Sequence, residues 1–209
     1  MKTLIISLSN DINNNSKQIP ELAPSEFVNF ITVALEKTDD EAVVLNKVIK
    51  ETSDEYSHIV ILPTEYVLYN NYLDIIKEYY KDEKTIYCPL VELKDSEGNF
   101  KGVINSSIWW PSFTQQPGIL DIEAAIKQVD TTLYGSLIPL SLLKKYKFKK
   151  DLNIYYQFEF LNKISSTNNK IQGVPKILLS VVFDYMVESC SKEKKAEMFE
   201  NARKEYLKK

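Results

Sequence analysis

Residues 58–73 read H-I-V-I-L-P-T-E-Y-V-L-Y-N-N-Y-L, and the reading of the fold turns on them. Ile59 to Leu62 are apolar without alternation, the pattern of a strand covered on both faces, as in the middle of a parallel sheet. Pro63 then ends it, because proline has no N–H for a ladder and fixes its own φ. The chain must leave the sheet there, at the carboxyl end of the strand, where open α/β sheets hold ligands. Glu65 is the first acid past that edge, and 70–81 reads as an amphipathic helix with Tyr72, Leu73, Ile76 and Tyr80 on one side. A carboxylate at position 65 reaches a metal ion or a ligand hydroxyl, or serves only in a turn.

Working outward, 3–8 is a short apolar run closed by Ser9, Asn10 and Asp11, a buried first strand with a polar turn. Pro20 and Pro24 prevent one long helix before 27–35, F-V-N-F-I-T-V-A-L, which reads as a second strand. Thr38, Asp39, Asp40 and Glu41 form a helix start, an N-cap candidate with acids in the first turn, and Val44, Leu45, Val48 and Ile49 give that helix its apolar face. Beyond the central stretch, 85–93 is a strand with Pro89 near an edge or at a bulge. Lys94 to Asn99 has turn chemistry, so 100–104 returns as a hairpin. Residues 105–118, with Trp109 and Trp110, are irregular, and such aromatics either pack on a core or face a ligand. A short helix at 121–128, a helix at 139–145 with Pro139 first, a helix over 154–164, a final strand pair at 171–182 and a charged helix at 192–209 complete the expectation.

Composition narrows the function. In 209 residues, 44% apolar and 26% charged content argue for one folded domain, here 1–190, with a helical tail at 191–209. The net charge of −3 supplies no global field for nucleic acid. Arg203 is the only arginine, so phosphate must be held by lysine, backbone N–H groups or a metal. His58 is the only histidine and Cys88 and Cys190 are far apart, which removes zinc sites and histidine-based nucleophilic triads. No run approaches the roughly 18 apolar residues of a membrane span, and a cytoplasmic protein with reduced thiols is expected. Lysine, asparagine, isoleucine and tyrosine beside one arginine suggest an AT-rich genome, bacterial or phage.

Taken in order, these segments resemble the family 2 glycosyltransferases, whose GT-A fold binds nucleotide sugars. Residues 3–10, T-L-I-I-S-L-S-N, are similar to the family's first strand with its polar ending. Residues 45–62 are similar to its passage from an asparagine-bearing helix to an apolar strand, with Asn46 at the helix asparagine and Tyr56 before the strand. Residues 147–164, K-F-K-K-D-L-N-I-Y-Y-Q-F-E-F-L-N-K-I, have the spacing of its acceptor segment, and 171–178 the strand after it. The resemblance implies a mixed, mainly parallel α/β sheet flanked by helices. It also implies a nucleotide-diphosphate sugar donor, a hydroxyl acceptor and a divalent cation, manganese or magnesium. Ser9, Asn10, Asp39, Asn46 and Thr64 would then border the donor, with Asp39, Asp40 and Glu41 facing a base or ribose, Glu65 would hold the metal, and Trp109 and Trp110 would stack on a sugar.

Two departures fall on the chemistry. The family's aspartate–any–aspartate motif reads Pro63-Thr64-Glu65, leaving one carboxylate. Its acidic pair on the acceptor helix reads Tyr156-Gln157, and glutamine takes no proton at neutral pH. Glu159, about 200° round a helix from Gln157, is the remaining acid. The chain is therefore expected to be either a glycosyltransferase using Glu65 and Glu159 or a GT-A-like binding or assembly module without chemistry. A nucleotidyltransferase is disfavoured, since residues 10–16 contain no glycine for a phosphate loop.

Overall fold

The computed structural model describes residues 1–9, 27–36, 38–105, 132–152, 156–167 and 169–182. Asn10, Trp109 and Trp110, the helices expected at 121–128 and 192–209 and the tail 191–209 lie outside the described residues.

Three parallel strands make most of the first of two four-stranded sheets. β1 (Thr3–Ser9) lies in the middle, with β2 (Val28–Ala34) on one side and β3 (His58–Pro63) on the other. Thr3 is opposite both Val28 and His58, so all three strands run the same way and end at one edge. Every residue of β1 and β3 is buried, as an unalternating apolar run requires. Pro63 is the last residue of β3, opposite Leu8, and Thr64 N–H then donates to Leu8 C=O at 2.9 Å, sealing the strand end. On the far side of β3, the two-residue β7 (Ile138–Pro139) pairs antiparallel with it.

The connection from β2 leads into helix α1 (Glu41–Glu51), whose Asp40 cap accepts the Val43 N–H at 3.2 Å and whose Ala42, Leu45 and Ile49 face the core. The central stretch departs from expectation here. A short strand β4 (Tyr66–Leu68) intervenes before α2 (Tyr72–Tyr79), because Tyr66 and Leu68 alternate with exposed Val67 and pair with a later strand. β5 (Thr85–Lys94) and β6 (Phe100–Ile104) form the expected hairpin. The expected final strand pair is a single strand, β8 (Lys170–Val182), parallel to β5 and antiparallel to β4. Its register slips opposite Pro89 and Leu90, where Val174 and then Ile177 are the partners, so Pro175 sits in an irregularity rather than breaking the strand. The second set therefore runs β4-β8-β5-β6, and a bridge between Tyr87 and Leu137 links it to the first next to β7.

Two further helices close the described residues. α3 (Leu140–Tyr146) begins after Pro139, which belongs to β7 and occupies the cap rather than the first helical position. α4 (Tyr156–Ser165) buries Tyr156, Gln157, Phe160, Leu161 and Ile164. No helix among the described residues is long and apolar enough to cross a membrane.

Candidate functional site at the carboxyl edge of the sheet

The carboxyl ends of β1, β2 and β3 form a mouth, and acids gather there. Glu65 follows β3 in a turn and is half-buried. Asp40 and Glu41 reach the same edge because α1 starts directly after β2. The charges of Glu65 and Asp40 both raise the Glu41 carboxyl. Burial is the larger cause of that rise, with Tyr156 and Tyr134 pulling the other way through their hydroxyls. Both hydroxyls donate to Glu41 Oε1, Tyr134 at 2.8 Å and Tyr156 at 2.5 Å. The same environment drives both phenols well above their usual range, burial first and Glu41's charge with it, so they stay protonated donors.

A buried polar chain fixes Tyr134. Asn105, at φ 65°, donates to Pro89 C=O at 2.7 Å and accepts Thr132 N–H at 2.8 Å. Gln157 Oε1 accepts Thr132 Oγ1 at 3.0 Å and Leu133 N–H at 2.7 Å. Gly135, at φ 74°, then donates its N–H to Ile61 C=O at 2.9 Å, which lays the segment across β3. Aromatic edges pack around it: Tyr66 against Tyr134 at 5.2 Å, and Phe148 against Tyr156 at 4.9 Å.

The expected site residues separate on this frame. Ser9, Thr64 and Glu65 lie at the strand ends, Ser9 buried and its C=O accepting Leu35 N–H at 2.8 Å, and the buried Tyr156 meets this edge through Glu41. Asp39 is exposed beside it and accepts Glu36 N–H at 2.8 Å. Asn46 is engaged by the backbone instead, since its amide donates to Phe148 C=O at 2.7 Å and accepts Phe148 N–H at 2.9 Å. Gln157 is the clamp described above. Glu159 pairs with Lys163 at 2.9 Å, its other oxygen buried with no hydrogen-bond partner among the described residues. His58 is buried within β3.

Sequence reasoning had no signal for Tyr134, Asn105 or Thr132, which act on the site from 93 residues away in the case of Tyr134 and Glu41. Among the described residues, the side chains at this edge do not form a cation site held by protein ligands alone. Glu41 is engaged by two hydroxyls, Pro63 stands where a first aspartate would, and no group of three or more metal-ligating side chains converges among the described residues.

Solved structures share this architecture. A fragment of TarS from S. aureus, residues 1–349, matches with a TM-score of 0.59 and 14% identity over 87% of this chain. The fold is GT-A-like. GalNAc-T7, solved with UDP, GalNAc and Mn2+, matches with a TM-score of 0.55 and 10% identity over 88% of this chain. A197 from STIV matches with a TM-score of 0.51 and 13% identity, covering 83% of this chain and 81% of its own. TarS and GalNAc-T7 are GT-A glycosyltransferases, and the TarS fragment is also solved in complex with UDP-GlcNAc. The chain spans 60% of the TarS fragment and 44% of GalNAc-T7. No protein-family model matches the sequence, and no curated protein does.

Proposed function

We propose that the protein binds a nucleotide-diphosphate sugar against the carboxyl ends of β1, β2 and β3 and transfers the sugar to a hydroxyl acceptor. The observation that carries this reading is the placement of Glu65 at the end of a covered parallel strand, on the rim shared with the first turn of α1. GT-A proteins of similar fold were solved with UDP, GalNAc and UDP-GlcNAc, which names the ligand class to try first. In this reading Glu65 and Asp39 accept hydrogen bonds from donor hydroxyls, Ser9 and Thr64 line the strand ends, and Glu159 orients the acceptor.

One observation favours a second reading, a GT-A-like binding module without transfer chemistry. The first turn of α4 offers an amide, Gln157, whose oxygen is taken by two internal donors, and its one acid, Glu159, is neutralised by Lys163. Calorimetry with a panel of nucleotide sugars, followed by a hydrolysis and transfer assay, separates the two. Glu65 is half-buried in a turn, so Glu65→Ala is expected to leave stability within about 0.5 kcal/mol and to weaken donor binding at least tenfold. Binding with turnover supports transfer, binding without turnover supports the module, and no binding by the unmodified protein removes both.

A further inference from the structure

The mouth carries negative charge from Asp40, Glu41 and Glu65, and a diphosphate placed there needs a positive counterpart. Asp40 and Glu41 occupy the helix end nearest the mouth, and among the described residues the side chains there do not hold a cation by themselves. Among the described residues, one basic segment is tied to that rim. Residues 147–151 read K-F-K-K-D, with Lys147, Lys149 and Lys150 all exposed.

This segment is anchored along its length. Phe148 is buried against Tyr156 and Phe160, with ring centroids 4.9 Å from each, and both its backbone groups are held by Asn46. Asp151 N–H donates to Asp40 Oδ2 at 2.6 Å, which pins the far end to the cap of α1 beside Glu41. Lys147 (φ 50°, ψ 154°) and Asp151 (φ 64°) both have positive φ, which costs about 1 kcal/mol or more per non-glycine residue and persists only when surroundings impose it. The loop thus runs along α1 from Asn46 to Asp40, which sets Lys149 and Lys150 between two anchored ends, Lys150 3.9 Å from the Asp151 carboxylate. A lysine run with no such anchoring would be read as a solvated face; this one is a held rim.

We propose that the 147–151 loop, in place of a protein-held cation, supplies the positive charge that holds the donor's diphosphate. This rests on the nucleotide-sugar reading above and specifies how that site manages without a second carboxylate.

The test is calorimetry in EDTA and, separately, in manganese, with uridine, guanosine, cytidine and adenosine diphosphates and with inorganic diphosphate. It compares the unmodified protein with a Lys147→Gly, Lys149→Gln, Lys150→Gln variant whose thermal unfolding is checked first; glycine tolerates the positive φ with extended ψ at 147. The expected result is that one nucleoside diphosphate and inorganic diphosphate bind in EDTA, that the variant weakens both at least tenfold, and that the salt dependence of binding becomes shallower. Binding that appears only with manganese and is equal in the variant overturns this inference while leaving the nucleotide reading standing. Inorganic diphosphate binding that is lost in the variant, with no nucleoside diphosphate or nucleotide sugar binding, supports the loop as a diphosphate site and overturns the donor reading. No binding of any probe overturns both.

Discussion

The Tyr156 hydroxyl donates to Glu41 Oε1 at 2.5 Å and so joins the first turn of α4 to the first turn of α1 across 115 residues of sequence. Because the acceptor is a carboxylate, Tyr156→Phe is expected to cost about 1–2 kcal/mol, read as a shift in the urea midpoint with an unchanged slope. Glu41's carboxyl is raised by burial, so its stabilising contribution is fully present below the unfolded value of about 4.3 and is lost as pH rises through the folded value. Glu41→Gln keeps an acceptor for both hydroxyls without the charge. It is expected to gain stability relative to the unmodified protein as pH rises from about 4.5 toward about 8; a gap that closes with rising pH would contradict the assignment.

His58 gives a pH dependence of opposite sign. Burial, with a smaller push from the N-terminal amino group, lowers its imidazole to about 4, so the folded protein holds it neutral while the unfolded chain protonates it near 6.5. Stability is whole above that value and falls as pH drops toward about 4, by about 3 kcal/mol in total. In His58→Gln the fall is expected to flatten, which urea unfolding at a series of pH values measures.

Gly135 has φ 74°, and a methyl group there would meet the buried Leu179 side chain, 2.9 Å from one Cδ. Gly135→Ala is expected to destabilise by about 2–4 kcal/mol from strain and overpacking together. Combining it with Leu179→Ala removes the steric part, so the double variant should be less destabilised than the sum of the single ones. Thermal unfolding of the four proteins gives the coupling.

Asn46→Ala strips both hydrogen bonds from the Phe148 backbone. The expected loss is about 2 kcal/mol, accompanied by weaker inorganic diphosphate binding if the lysine loop needs its anchor. Unchanged binding at reduced stability would show that Phe148 packing and the Asp40 contact to Asp151 hold the loop's shape without Asn46.

Much of the frame was legible because its strands are apolar runs bounded by proline and polar turns: 3–8, 27–35 and 59–62 lie within a residue or two of β1, β2 and β3. The Thr38–Glu41 start was readable because an acid cap and first-turn acids act locally on the helix backbone. β4 was invisible, since three residues take their meaning from β8, more than a hundred residues later. The strand pair expected at 171–182 is the single strand β8, because the register slip opposite Pro89 that accommodates Pro175 is set by the pairing with β5 and does not show in the sequence. Asn46 stands at the helix asparagine of the family pattern and Gln157 where its acidic pair would be; the partners the structure gives them, the Phe148 backbone and the Thr132–Leu133 pair, are set by tertiary packing that no local pattern encodes. For the same reason Tyr134 carried no signal, though Glu41, its partner, stood out as an acid beyond the second strand.

The parallel pairing of β5 with β8 has a consequence for synthesis. β1, β2 and β3 are complete once residue 63 has left the ribosome, but β4 and the long edge of β5 wait for a strand that ends at Val182. At elongation speeds of about 5–20 residues per second, that interval lasts on the order of ten seconds. During it the nascent chain presents unpaired strand edges of the kind that holding chaperones cover and that premature stop codons leave bare for good.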